Sequence, residues 1–303
     1  MTSPNDYTPP ASASIAKRQN DDEALRLLLA QRRLYTRAKR WQGVRWIGLL
    51  ILGVAAPFIS ILVPALAVFV GAITGAWLFL GRTFLASAEA RTMTKAAAIQ
   101  EDLDLYIFGM PHSIERTSKP SIEEIELLIQ SDRGLREEAK SERLLDWYDI
   151  DESHPGAETV AIAQRANASY TDRLIRTAVR VWAAVTFVWL AILLTWSSLS
   201  GLAFGLILLG VLFPLLPAVL DVAEYLRSTW RAAQDRADLA NTIQARIEDD
   251  VPILGQELLV WQGQIYDLRR TTPQVPDWLY KITRKRNEAA MHAAARRLRT
   301  GKK

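Results

Sequence analysis

The sequence predicts an all-α integral membrane protein: four transmembrane helices in two hairpins, plus a helical cytoplasmic body built from the N-terminus, middle segment and C-terminus. Three observations predict it. Half of the 303 residues are hydrophobic, and they cluster, with no charged residue at all in 46–81 or in 181–220. A hydrocarbon layer about 30 Å thick needs roughly 20 helical residues to cross, so each run has the length of two spans. The flanking segments are charged and follow helical periodicity, with neither sustained alternation nor an Asn-Gly hairpin signal.

Taken in order, residues 1–20 are polar, lack the apolar h-region and cleavage site of a secretory signal, and are expected to be a flexible N-terminus. Residues 21–43 read as an amphipathic helix. Leu27, Leu28, Leu34, Tyr35, Ala38 and Trp41 share one face, flanked by Arg26, Arg33, Arg37 and Arg40, a pattern suited to a membrane surface. The first hairpin, 44–82, has spans at about 44–61 and 64–82, and its bend is expected in "APFISILVP", where Pro57 and Pro64 interrupt helix geometry. The second, 180–220, has spans at about 180–197 and 201–220 and turns in the polar "TWSSLSG".

Between them, 83–179 is a cytoplasmic helical segment. "SAEARTMTKAAAIQEDLDLYIF" places Ile99, Leu103 and Ile107 at i, i+4 and i+8 and continues the second span inward. "SIEEIELLIQ" opens with Ser121 and Glu124 at capping-box spacing and then puts Ile122, Ile125, Leu128 and Ile129 on one face. After the second hairpin, 221–303 starts with a helix to about Asp250 that extends the fourth span. It ends in the basic, alanine-rich "RKRNEAAMHAAARRLRTGKK", expected to be a solvated or membrane-surface helix rather than a nucleic-acid site.

Charge orients the chain. Seven basic residues lie in 26–45 and others follow the second and fourth spans, whereas the two short turns carry none. The positive-inside rule then places the N-terminus, middle segment and C-terminus in the cytoplasm, in a multi-pass protein of the bacterial inner membrane. The middle segment, 86–177, has a net charge of −7, against +5 for 1–46 and +4 for 221–303. The acidic middle is expected to pack between the basic termini as one body.

Chemistry-bearing motifs are missing. There is no Walker loop, no Gly-x-Ser-x-Gly elbow and no His-Glu-x-x-His. The three histidines, His112, His154 and His292, are scattered and suggest no metal site, and cysteine is absent. A non-enzyme without a cofactor is expected. The spans hold no ionisable residue, which disfavours a proton-coupled pump. They do hold Gly71 with Gly75 and Gly201 with Gly205, spacings that let helices pack closely within one chain or between copies in a homo-oligomer.

Several polar strings are too particular for amphipathic filler: "RQN" (18–20), "LLLAQRRLYTRAK" (27–39), "AAAIQEDLD" (96–104), "LLDWY" (144–148), "AIAQRAN" (161–167) and "QIYDLRRTTPQVPDWLYKITRKRNEAAM" (264–291). In combination and order they resemble the S-4TM family, the SMODS-associated four-transmembrane effectors, over about 18–291. The chain departs from the family pattern at His112, Asp149 and Tyr170. The resemblance implies a membrane effector of a CBASS-like anti-phage system, linked to a cGAS-like nucleotidyltransferase, that opens or disrupts the membrane when a cyclic oligonucleotide appears. The competing reading is a scaffold that holds the nucleotidyltransferase at the bilayer without forming a pore.

A nucleotide activator needs arginines for phosphate and aromatic faces for bases. The strings and their neighbourhood supply Arg18, Arg165, Arg173 and Arg269, with Trp147, Tyr148 and Trp278. Gln19, Asn20, Gln164, Asn167 and Asp277 are the accompanying polar candidates, and whether "RQN" pairs with "QRAN" is the question they raise.

Overall fold

The computed structural model describes residues 7–112, 118–130, 133–199, 201, 213–249, 251–272 and 274–300. Every regular element among them is helical: α1 Ser12–Arg18, α2 Asp22–Leu62, α3 Ala67–Leu80, α4 Ala86–Phe108, α5 Ile122–Ile129, α6 Leu135–Ser141, α7 Gly156–Leu199, α8 Phe213–Glu248, α9 Gly255–Thr271 and α10 Asp277–Thr300. Three stretches, Asp22–Ile59, Ala67–Phe108 and Gly156–Trp196, are long and apolar enough to cross a membrane. Gly205 and 202–212 of the expected fourth span lie outside the described residues.

The long helices are the organising feature. α2 has 41 residues and α7 has 44, about 60 Å each at 1.5 Å per residue, enough for one bilayer crossing and several further turns. α3 and α4 likewise form one rod, joined by a turn of π-helix at Gly81–Leu85, a local widening rather than a break. At one end of these rods apolar side chains face outward: Ile51 is 59% exposed, Phe69 64% and Phe187 74%. At the other end a core closes around Leu25, Leu28, Ile99, Leu103, Ile107, Phe108, Leu144, Leu258 and Ile265, all essentially buried. Removing one such side chain from water contributes about 1.5–3 kcal/mol, so this end is the folded body and the other is dressed for lipid.

The acidic middle segment does pack between the basic termini. Arg26 reaches Glu126 at 2.6 Å, Arg32 reaches Glu142 at 2.9 Å and Arg33 reaches Glu138 at 2.9 Å. The flank of α2 is therefore held by carboxylates of the body, and its apolar face is buried in the core except at Trp41. This replaces the membrane-surface reading of 21–43.

Four more expectations are corrected. The bend of the first hairpin falls at Val63–Leu66, at the Pro64 end of the expected stretch, but Pro57 does not contribute to it and sits inside α2, where an apolar helix tolerates the loss of one hydrogen bond. From Tyr7 onward the N-terminus is docked rather than flexible: the Tyr7 hydroxyl donates to the Phe108 carbonyl at 2.8 Å, and Ile15 is fully buried. Gly156, the first residue of α7, lies so close to the Pro10 carbonyl that a Cβ would overlap it. Ile122 is 70% exposed while Ile125 is buried, so the apolar face of α5 is narrower than its spacing implies. The basic tail is only partly solvated: Leu279 just ahead of it packs with Ile175 and Ala178 of α7, and Asn287 and Leu298 are buried, while Arg286, Arg296 and Arg297 are exposed.

Aromatic side chains tie the two halves together where the body meets the apolar ends. Trp46 of α2 stacks on Trp182 of α7 at 5.7 Å and meets Tyr225 of α8 edge-on at 5.0 Å. Arg82, in the π-turn, reaches Asp221 at 2.8 Å and Glu224 at 3.0 Å on α8.

Candidate functional site

The interior of the body is built on one carboxylate. Asp104 of α4 accepts from Arg269 of α9 at 2.7 Å, from Gln262 at 3.0 Å and from the Tyr148 hydroxyl at 2.6 Å. Gln262 also donates to Glu101 at 2.9 Å, and Gln164 of α7 donates to Gln262 and to the Leu258 carbonyl. A carboxylate buried this deeply persists only with such a set of donors. Burial opposes charge on Arg269, but Asp104 beside it more than compensates and holds the guanidinium above its ordinary range.

Against this network opens a cavity of about 370 Å³ between α2, α4, α7, α8, α9 and α10, within the size range of small-ligand sites. Arg32, Lys39, Arg236, Arg269 and Lys281 line it, along with Tyr35, Trp147 and Tyr280, and among the described residues no carboxylate does. Arg236 is 2% exposed and makes one hydrogen bond, from Nη2 to the Thr272 hydroxyl at 3.2 Å. Its Nε and Nη1 have no partner, nor do Nε and Nη2 of Arg269 or Oε1 of Gln31. Burial, and then repulsion from Arg269, push the Arg236 guanidinium down to about 10, still protonated at neutral pH. Tyr35, whose hydroxyl donates to Gln100 at 2.9 Å, is pushed up to about 12 by burial and stays neutral. The wall is thus cationic and rich in donors.

The structure brings three of the expected ligand residues to this cavity: Arg269, Trp147 and Asn167. Tyr148 and Gln164 lie behind the wall as parts of the Asp104 network. Gln19 accepts from the Tyr148 backbone amide at 2.8 Å, and Asn20 exchanges two hydrogen bonds with Asp146 at 2.7 and 2.9 Å. "RQN" therefore pairs with "LLDWY", not with "QRAN". Arg18 lies against Gly109. Arg165 lines a separate cleft of about 690 Å³ with Gln244, Glu248 and Arg297, donating to Gln244 at 2.7 Å. Burial lowers its pKa, with the charge of Arg173 next in effect. Arg173 and Trp278 point outward, Trp278 at 49% exposure, and the Asp277 side chain is outside the described residues.

Arg236 is the residue that sequence reasoning missed. On α8 it continues a buried stripe with Thr229, Ala233, Ala240 and Ile243, so the signal was an arginine in register with an otherwise apolar or small-residue face. Gln31, Tyr35, Lys39 and Tyr280 stand within the resembling strings, yet nothing in the strings separates wall from scaffold.

Among the described residues, a Cβ at Gly71, Gly75 or Gly201 would meet nothing within 4 Å. The close approach of α2 and α3 is made instead at Gly48, against the indole of Trp77.

No curated protein and no solved structure is significantly similar to the chain. The family described as the SMODS-associating 4TM effector domain matches residues 13–298. With nearly the whole chain covered, and with apolar rods rising from a polar helical body, the protein belongs to that family of membrane-associated effectors.

Proposed function

We propose that the protein is a non-enzymatic membrane effector of a bacterial nucleotide-signalling defence system, and that a cyclic oligonucleotide bound in the cationic cavity switches it to a membrane-permeabilising state. The observation that carries this reading is continuity. The cavity wall is made by α2, α4, α7 and α8, and α2 and α7 run unbroken into the apolar ends while α4 does so through the π-turn. A ligand that draws these helices together or apart acts directly on the spans.

Binding can shift the resting state only through differential affinity. An anion seated among five cationic side chains favours whichever arrangement brings them closest, and that preference is transmitted along rigid rods. In this reading the rods and 201–220 form four spans in two hairpins, with both termini and the body in the cytoplasm. Among the described residues nothing stands within 4 Å of a Cβ at Gly71 or Gly75, and such a small-residue face suits assembly of several copies into a pore.

The test is dye release from liposomes carrying the purified protein, challenged with a panel of cyclic di- and trinucleotides at micromolar concentration. Release with at least one compound is expected. Retention of dye under every compound, with insertion verified by protease protection, removes the reading.

A further inference from the structure

We propose that Arg236 and Arg269 together form a seat for one phosphate group of a phosphodiester ligand, with the face of Trp147 at the rim taking the adjoining base. The inference deepens the proposed function and rests on it for the kind of ligand, but the argument for a phosphate comes from the two arginines themselves.

Arg236 and Arg269 carry four buried nitrogens without a hydrogen-bond partner among the described residues, and both residues line one cavity. Buried guanidinium donors are normally satisfied by carboxylates or carbonyls. Here a single carboxylate, Asp104, is engaged by Arg269, Gln262 and Tyr148, and the partner of Arg236 is only the Thr272 hydroxyl. A purely structural arginine at 2% exposure has no reason to be left this way. A tetrahedral oxyanion resolves both deficits at once, because its oxygens accept from two guanidinium forks and its charge offsets two neighbouring cations, of which Arg236 has, among the described residues, only the through-space charge of Asp172 to balance it.

The surroundings narrow the class. Among the described residues no carboxylate lines the cavity to repel an anion. Trp147 is 36% exposed at the rim, a solvent-reachable indole of the kind on which bases stack. Because Arg236 is on α8 and Arg269 is in the last turn of α9, a phosphate between them clamps the helix leading to the fourth span against the body.

A free nucleotide and an anionic lipid headgroup share this chemistry, so the assay carries both. Thermal unfolding of the full chain in neutral detergent is measured alone and with inorganic pyrophosphate, cyclic di-AMP, cyclic di-GMP or dioctanoyl-phosphatidylglycerol. Wild type is expected to gain stability with pyrophosphate and with at least one cyclic dinucleotide. Arg236→Met, which removes an unpaired buried charge and keeps the volume, is expected to unfold at a higher temperature than wild type without ligand and to bind the same probe about 10- to 100-fold more weakly. Arg236→Lys, which keeps charge but loses the fork, is expected to fall between them. No shift in wild type with any phosphate probe, a shift with the lipid alone, or an undiminished shift in Arg236→Met each overturns the seat. Liposomes that keep their dye while the seat binds its probe would sink the effector reading and leave the seat standing.

Discussion

Nη1 of Arg269 lies 2.7 Å from Oδ2 of Asp104, with the two side chains 4% and 2% exposed, the most deeply buried ion pair among the described residues. Because α4 and α9 meet there, the pair holds the body together as well as forming the back wall of the cavity. Breaking such a pair leaves an uncompensated charge in the interior and costs about 3–5 kcal/mol, a large share of a typical domain stability of 5–15 kcal/mol. Asp104→Ala and Arg269→Ala are each expected to lower the unfolding temperature steeply and reduce the amount of folded protein in detergent. Asp104→Leu combined with Arg269→Met should cost clearly less than the two alanine changes added together. Arg269→Ala is therefore read by its unfolding temperature before its dye release; a double variant as unstable as that sum would show that the pair is not coupled.

Trp147 offers a cleaner handle, being partly exposed at the cavity rim and outside the Asp104 network. Trp147→Ala is expected to leave the unfolding temperature within a few degrees of wild type. Stacking of a base contributes about 1–3 kcal/mol, so the concentration of activating nucleotide for half-maximal dye release should rise roughly 5- to 150-fold. Trp278, 49% exposed and not part of the cavity wall, is the matched control, and Trp278→Ala should leave the dose response where it is. Equal responses for the two variants would separate Trp147 from ligand.

Titration of Arg236 gives a sign that can be checked. Burial first, and the charge of Arg269 second, bring it down to about 10, whereas in the unfolded chain it titrates above about 12. Below pH 10 the folded protein bears the full cost of the buried charge. Above it, the folded state releases a proton that the unfolded chain keeps, so this contribution to stability increases with pH. Arg269 remains charged and Tyr35 stays neutral up to about 12, while Lys39 and Lys281 are common to both proteins. The excess unfolding temperature of Arg236→Met over wild type should thus be largest near neutral pH and shrink above about pH 10. An excess that stays constant with pH would mean that Arg236 carries no desolvated charge.

Most of the helical layout was legible because it rests on one-dimensional signals. Charge-free runs, the Ser121 cap and the i, i+4 spacing of Ile99 and Leu103 need no knowledge of neighbours, and α4, α5 and α8 lie close to where those signals put them. The hairpin bend was legible at Pro64 but wrongly extended back to Pro57, because a proline inside an apolar helix and a proline that ends one look alike in sequence. The site was legible in kind more than in place. Polar strings announced buried chemistry, but whether Gln164 and Tyr148 face a ligand or the back of its wall depends on the rotation of several helices at once. Arg236 was hidden for the opposite reason, since its neighbours Ala232, Ala233 and Ala240 are bland and its isolation in the core exists only in three dimensions.

The contact between Gly48 and Trp77 separates packing within one chain from packing between chains. A Cβ at position 48 would fall inside the indole ring, and that indole is fixed further by its Nε1 donating to the Arg45 carbonyl at 3.4 Å. Gly48→Ala should force α2 and α3 apart and cost about 1–3 kcal/mol, the usual penalty for overpacking. Adding Trp77→Ala should recover much of that loss, because the smaller side chain vacates the space. No described residue stands within 4 Å of a Cβ at Gly71 or Gly75, so Gly71→Leu and Gly75→Leu should leave the unfolding temperature of the isolated chain unchanged. If copies assemble through that face, the same changes should reduce cross-linked oligomers in liposomes and, with them, ligand-triggered dye release. Undiminished cross-linking and release in both leucine variants would place the assembly interface elsewhere on the apolar surface.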